Sequence, residues 1–135
     1  MISLCLGLGM RPKPSPQRVA AWWLTAASKV PSMGELQEFC AEEECYLHAE
    51  AITYDPRFRK YKLDQAFGAY VKDNGYYADH SWVVAPDGTI IDTTHGQFDR
   101  RVPILIARPG SREHKHYVST DDMTDEERLK TYGPP

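Results

Sequence analysis

Cysteine, long apolar runs and excess positive charge are all scarce in this sequence. Its three cysteines are an odd number and follow no recognisable secretory leader, so we expect reduced thiols and a cytoplasmic location. No apolar run approaches the roughly 18–20 residues that span a bilayer, which predicts no membrane partner. A formal net charge of −3 at pH 7 argues against nucleic acid as the main partner.

The order of the elements predicts an α+β fold, in which N-terminal helices pack on a small antiparallel sheet. A length of 135 residues suits a single domain, residues 1–135, with its core at about 15–118 and a short acidic helix and tail at 119–135. Ser15 is expected to cap a helix over residues 16–30. Ser32 and Glu35 form a capping-box pattern that begins a second helical stretch. Pattern alone does not decide whether residues 33–54 are one helix or two.

The second half of the chain carries the signals of strands and turns. A strand is expected around residues 69–72, followed by an Asp-Asn-Gly turn at 73–75. A later strand within residues 101–108 ends at Pro-Gly, and residues 114–119 could form another. Residues 121–130 are predicted to form a short capped helix.

Residues 80–98 predict a β-hairpin with a histidine on one strand and an aspartate on the other. The Ala-Pro-Asp-Gly segment at 85–88 is typical of a bulged turn, with the glycine in the left-handed conformation. Facing Ala85 with Thr89 aligns Trp82 with Asp92 and His80 with Thr94. Because side chains alternate between faces, these four then share one face. We therefore predict that His80 is a general base and Asp92 the acid that orients it, and this pair requires a nucleophile.

Cys45 is the best-placed nucleophile, because it opens the helix-compatible run CYLHAEAITY, and a helix N-terminus and an imidazolium both lower a thiol's pKa. The glutamates at 42–44 should act against this, since negative charge raises that pKa. Cys40 falls on the apolar stripe of a helix, and Cys5 lies in an apolar, strand-like run. Burial as a structural residue is the alternative for each cysteine.

This order of parts resembles the small papain-like and transglutaminase-like cysteine proteins, many of them uncharacterised bacterial or phage proteins. The resemblance covers roughly residues 45–98 and rests on Cys45-Tyr46 with Ala49, His80-x-Trp82 and Ile91-Asp92-x-Thr94. Glu44 and His48 depart from the small residues and asparagine usual around that cysteine, so an inactive member of the superfamily also fits.

The resemblance implies a thiol hydrolase or acyltransferase: a peptidase, amidase, deamidase or transglutaminase-like enzyme. It assigns Cys45 as nucleophile, His80 as general base and acid, and Asp92 as the residue that orients His80. Gln37 and Trp82 are candidate oxyanion or substrate-contact residues. The expected partner is a protein or peptide substrate or target, and no cofactor or metal is expected.

Two other functions stay open. Cys45, His48, His80 and His95, or the pair His114 and His116, could hold zinc, although none has a recognised zinc spacing. Alternatively, the same fold could serve as a catalytically inactive binding or inhibitory module, possibly phage-encoded. Gln97 and Phe98 are expected to belong to the core and the strand end, with Gln97 bonded to backbone.

Overall fold

The fold is α+β, with a few short helices and a curled antiparallel sheet. A computed structural model describes Leu4–Cys5, residues 27–126 and residue 129. The helices are α1 (Met33–Leu36) and α2 (Cys45–Thr53), with 3₁₀ turns at Gln37–Phe39, Pro56–Tyr61, His95–Gln97, His114–His116 and Thr120–Asp122. The strands are β1 (Leu4–Cys5), β2 (Asp64–Val71), β3 (Tyr77–Val84), β4 (Ile90–Asp92), β5 (Leu105–Ala107) and β6 (Tyr117–Ser119).

The β3–β4 hairpin has the register that the sequence predicts. Val83 pairs with Ile91, and the backbone N–H of Ala85 donates to the Thr89 carbonyl at 2.9 Å. Gly88 closes the turn with a φ of 91°, which a residue with a β-carbon rarely adopts. The local turn chemistry is therefore sufficient to align the two strands.

The sheet order is β5–β4–β3–β2–β6, and β1 pairs with β3 beside this path. Each face of the sheet carries its own buried cluster, because side chains alternate along the strands. The α2 side packs Leu36, Phe39, Ala49, Ile52, Phe58, Val83, Ile91 and Ile104 together. The opposite side packs Tyr70, Trp82, Ile90, Leu105, Ala107 and Tyr117.

The capping box at the start of α1 is confirmed, since the Glu35 N–H donates to Ser32 Oγ at 3.1 Å and the Ser32 N–H donates to the Glu35 carboxylate at 3.0 Å. The stretch that follows divides into α1 with its 3₁₀ turn and then α2, so residues 33–54 are two helices. Glu44, between them, has a left-handed backbone that a continuous helix could not contain.

Several other predictions of secondary structure need correction. The helix expected over 16–30 does not reach Val30, because residues 27–32 are irregular and Ser28 is bonded to Asp87. Its earlier part, with the Ser15 cap, lies outside the described residues. The 69–72 strand begins earlier, at Asp64, and 114–116 form a 3₁₀ turn before β6. Of the helix expected over 121–130, residues 127, 128 and 130 lie outside the described residues.

Among the residues that the structure describes, no helix is long and apolar enough to span a bilayer.

Candidate active site

Cys45 is the first residue of α2 and is 2% exposed. Glu44 precedes it with φ 62° and ψ 44°, a backbone conformation that is uncommon for a residue with a β-carbon. The Glu44 carbonyl accepts the first helical hydrogen bond, from the His48 N–H at 3.1 Å. Cys45 therefore lies in the first turn of α2, where the free N–H groups and the positive end of the helix dipole favour a negatively charged group.

Gln65 ties this helix start to the sheet. Its Nε2 donates to the Tyr46 carbonyl at 3.1 Å and to the Ser81 hydroxyl at 3.0 Å. Ser81 Oγ in turn donates to the Ala66 carbonyl at 2.8 Å. Because Ser81 follows His80 on β3, these bonds hold the first turn of α2 against the strand that carries the imidazole.

His80 and Asp92 form a buried pair across the hairpin. His80 Nε2 lies 2.7 Å from Asp92 Oδ2, and the two side chains are 0% and 1% exposed. With Nε2 engaged by the carboxylate, Nδ1 is the nitrogen left to face the thiol. The pair therefore has the arrangement expected of a base and the acid that orients it.

The Asp92 carboxylate has further donors on both oxygens. Oδ1 accepts the Thr94 N–H at 2.9 Å and the Thr94 hydroxyl at 3.1 Å. Oδ2, which already faces His80, also accepts the Tyr117 hydroxyl at 2.6 Å. Burial raises the pKa of Asp92, but the charge of His80 and these hydrogen bonds outweigh it and lower that pKa. The lowered pKa favours an ionised carboxylate.

The thiol and the imidazole change each other's protonation. Burial raises the pKa of Cys45, but a hydrogen bond with His80, the charge of that ring and the Ser81 N–H together lower it. Burial lowers the pKa of His80, yet the charge and hydrogen bond of Asp92, aided by Cys45, raise it to about 9. Both shifts favour a thiolate–imidazolium pair.

Aromatic rings enclose His80. Trp82 stacks against it with centroids 5.9 Å apart, and Phe98 meets it edge-on at 4.9 Å. Gln97 Nε2 lies 3.5 Å from His80 Nδ1 and donates to the Thr94 carbonyl at 3.0 Å. The backbone bond predicted for Gln97 is therefore confirmed, and its amide also lies against the imidazole.

The structure brings Cys45, His80 and Asp92 together, with Trp82 beside them. Trp82 is 3% exposed and contacts the ring of His80, so its predicted contact with substrate stays a prediction. Gln37 lies in the 3₁₀ turn after α1 with an exposed side chain. Within the described residues, no hydrogen bond joins that side chain to the three, and its oxyanion role also stays a prediction.

The acidic residues before Cys45 do not dominate its electrostatics. Residues 42–44 are exposed, and Glu42 lies 3.4 Å from Arg100. The carboxylate that raises the pKa of the thiol is the buried Asp92, and the net direction is still downward. Solvent screening explains why the adjacent charges matter so little.

Several of the histidines considered as zinc ligands have other hydrogen-bond partners. His95 Nδ1 lies 3.1 Å from Tyr117 Oη, and His114 Nε2 and His116 Nδ1 each lie 2.7 Å from a backbone carbonyl. Over residues 27–126, no group of three or more His, Cys, Asp or Glu side chains is placed to hold a metal ion.

The site is closed beside the thiol, whereas a pocket opens near the imidazole. The gap between Cys45 and the β3–β4 strands has no room for a water molecule. A surface pocket of about 650 Å³ instead opens next to Tyr70 and Phe98, whose rings contact His80, and next to His95. Its other lining residues are mostly charged, among them Lys72, Arg101 and Arg112.

Sequence reasoning missed Tyr117 and Gln65. Tyr117 reaches Asp92 because β6 pairs with β2, where Tyr117 is aligned with Tyr70 across 47 positions of the chain. Gln65 lies in a part of β2 that the pattern does not indicate. Thr94 had a local signal, since Asp-x-Thr commonly forms a turn with side-chain bonds to backbone N–H groups.

Comparison with protein-family models, curated proteins and solved structures gives no match.

Proposed function

We propose that this protein is a cysteine-nucleophile acyl-transfer enzyme with a papain-like or transglutaminase-like core, in which Cys45, His80 and Asp92 act as a triad. One observation carries the proposal: a thiol at a helix start lies beside an imidazole that lowers its pKa, and that imidazole is hydrogen-bonded to a buried carboxylate. The substrate class that fits is a peptide or protein amide, or the corresponding ester.

The protonation of the pair supports this chemistry. A lowered pKa at Cys45 favours the thiolate, which is the nucleophilic form. A raised pKa at His80 keeps a proton on Nδ1 for the leaving group. Asp92 holds the ring through Nε2, which leaves Nδ1 as the nitrogen for proton exchange with the sulfur.

In the acylation step, the Cys45 sulfur attacks the carbonyl carbon and a C–S bond forms. The C–N or C–O bond to the leaving group breaks, and the proton on His80 Nδ1 passes to that leaving group. In the second step, water or an amine attacks the thioester and gives its proton back to Nδ1. The C–S bond then breaks, and the sulfur leaves as the thiolate.

The oxyanion that forms during acylation needs hydrogen-bond donors, whose loss typically costs about 10²–10³ in rate. The backbone N–H of Cys45 at the helix start is one donor of suitable position. Gln37 is the donor suggested by resemblance, and Gln97 offers an amide nearer the imidazole.

The alternative is a catalytically inactive member of the same fold that acts as a binding or inhibitory module. Burial favours it, because Cys45 is 2% exposed, His80 is fully buried and the space beside the thiol cannot admit water. Catalysis by this site therefore requires movement that opens the thiol to substrate.

Turnover of p-nitrophenyl acetate, followed by release of nitrophenolate and by intact-protein mass, separates the two functions. The enzyme should form an acetyl adduct on Cys45 and then lose it, with steady turnover. Cys45→Ser should form no thioester, while Cys40→Ser serves as the matched control and should behave as the unaltered protein. An adduct that never hydrolyses, or equal labelling of both cysteines, would favour the inactive module.

A further inference from the structure

Asp92 Oδ2 is shared between two donors from different strands. His80 Nε2 approaches it at 2.7 Å from β3, and the Tyr117 hydroxyl approaches it at 2.6 Å from β6. All three groups are buried. A charged hydrogen bond in such an environment is stronger than a neutral one in water.

The direction of each hydrogen bond follows from the charges. Burial and the charge of Asp92 raise the pKa of Tyr117 well above its usual value, so its hydroxyl keeps its proton and donates it to Oδ2. Its oxygen can then accept a bond from His95 Nδ1, which lies 3.1 Å away. Burial lowers the pKa of His95, which favours a neutral ring, and with the Tyr117 oxygen as acceptor the proton of that ring belongs on Nδ1.

The result is a continuous chain from the surface pocket to the thiol. His95, which lines the pocket, donates to Tyr117, and Tyr117 donates to Asp92. His80 donates to Asp92 from one side of its ring and faces Cys45 from the other. The other titratable groups that face this chain are Tyr70, Asp99 and His116.

We infer that Tyr117, held by His95, is a positioning residue that keeps the negative charge on Asp92 and the proton on His80. This role of Tyr117 has a catalytic consequence only if the proposed function holds.

A buried His–Asp pair can hold its shared proton on either partner. The neutral arrangement, with the proton on the carboxyl group, avoids two buried charges. Donors to the carboxylate oxygens favour the charged arrangement instead. Thr94 supplies the donors to Oδ1. At Oδ2, the hydroxyl of Tyr117 is the donor that stabilises the carboxylate in addition to His80.

Nitrogen-15 NMR of the His80 ring at about pH 7, within the usual range of a histidine titration, tests the inference without any substrate. In the unaltered protein Nε2 should carry a proton. Tyr117→Phe removes only the hydroxyl and keeps the ring that packs on Trp82, so Nε2 should move toward the shift of an unprotonated nitrogen. Tyr76→Phe is the control, since Tyr76 is 50% exposed, and should leave Nε2 unchanged.

His95 provides a second pair of variants, which also serve if Tyr117→Phe does not fold. His95→Leu removes the donor to the Tyr117 hydroxyl and should move Nε2 in the same direction by a smaller amount. His95→Asn can place an amide N–H near the former Nδ1 and should restore the unaltered shift. An unchanged Nε2 in folded Tyr117→Phe, or an Nε2 without a proton in the unaltered protein, would overturn the inference.

Alkylation of Cys45 separates this inference from the proposed function. If both hold, the pH midpoint of alkylation should rise in Tyr117→Phe, because the thiolate loses its imidazolium. If Cys45 is inert in the unaltered protein while Nε2 still responds to Tyr117→Phe, the proposed function fails and the inference stands. If Cys45 is reactive and Nε2 does not respond, the inference fails alone.

Discussion

Replacing Asp92 by asparagine should destabilise this protein more than the loss of one ordinary hydrogen bond would. The carboxylate accepts hydrogen bonds from His80 Nε2, from Tyr117 Oη and from two groups of Thr94. Asparagine keeps one acceptor oxygen and places an NH₂ donor where the other was. In either orientation of the amide, its NH₂ group faces hydrogen-bond donors, either those of His80 and Tyr117 or those of Thr94.

The size of the effect follows from those contacts. Losing two charge-assisted hydrogen bonds at about 1.5–3 kcal/mol each gives roughly 3–6 kcal/mol. Breaking a buried ion pair by removing one partner costs about 3–5 kcal/mol. We therefore expect Asp92→Asn to lower the free energy of unfolding by about 3–5 kcal/mol at neutral pH, a large part of the roughly 5–15 kcal/mol of a typical domain.

Urea unfolding followed by tryptophan fluorescence measures this loss. Asp99→Asn is the matched control, because Asp99 pairs with Arg101 at the surface, where solvent screens the interaction and only a small change is expected. A loss below about 1 kcal/mol in Asp92→Asn, the range of an exposed pair, would refute the idea that the carboxylate is ionised and fully bonded.

Three further predictions concern the parts that support the site. Gln65→Leu removes the hydrogen bonds that link α2 to β3. The free energy of unfolding in urea should fall by about 1–2 kcal/mol, and Cys45 should alkylate more slowly. Unchanged values of both would exclude the link. Gly68→Ala would put a β-carbon 2.0 Å from a β6 backbone oxygen, so amide exchange at 117–119 should accelerate; unchanged protection would contradict this. In Cys45→Ala, calorimetry should find stability falling as pH rises from about 6.5 through the raised pKa of His80, because the folded ring keeps a proton that the unfolded chain has released. A rise in stability over that interval would contradict this sign.

The sequence predicted the parts of the site that depend on neighbouring residues. The turn at 85–88 aligns Val83 with Ile91 and Val84 with Ile90 through local geometry alone. Ser32 and Glu35 likewise mark the start of α1 through adjacent bonds. In both cases the determining contacts lie within a few positions of the chain.

Contacts between distant residues could not be predicted in this way. Tyr117 reaches Asp92 only because β6 pairs with β2, and no local pattern encodes that pairing. The polar start of β2 does not have the pattern of a strand, yet Gln65 is stabilised there by the Tyr46 carbonyl. The glutamates at 42–44 were expected to raise the pKa of Cys45 because they are its neighbours in the chain. They are exposed, and solvent screens their charges from the thiol, whose pKa is lowered.

The pH dependence of Cys45 alkylation tests the central claim, that thiol, imidazole and carboxylate act as one unit. Iodoacetamide labelling is followed by peptide mass spectrometry from about pH 5 to 10, with Cys40 in the same molecule as the internal reference. We predict that Cys45 reacts well below about pH 8.5, the ordinary thiol pKa, and that His80→Ala removes this low-pH reactivity. Equal and slow labelling of Cys45 and Cys40 across the range, with or without His80, would contradict the account.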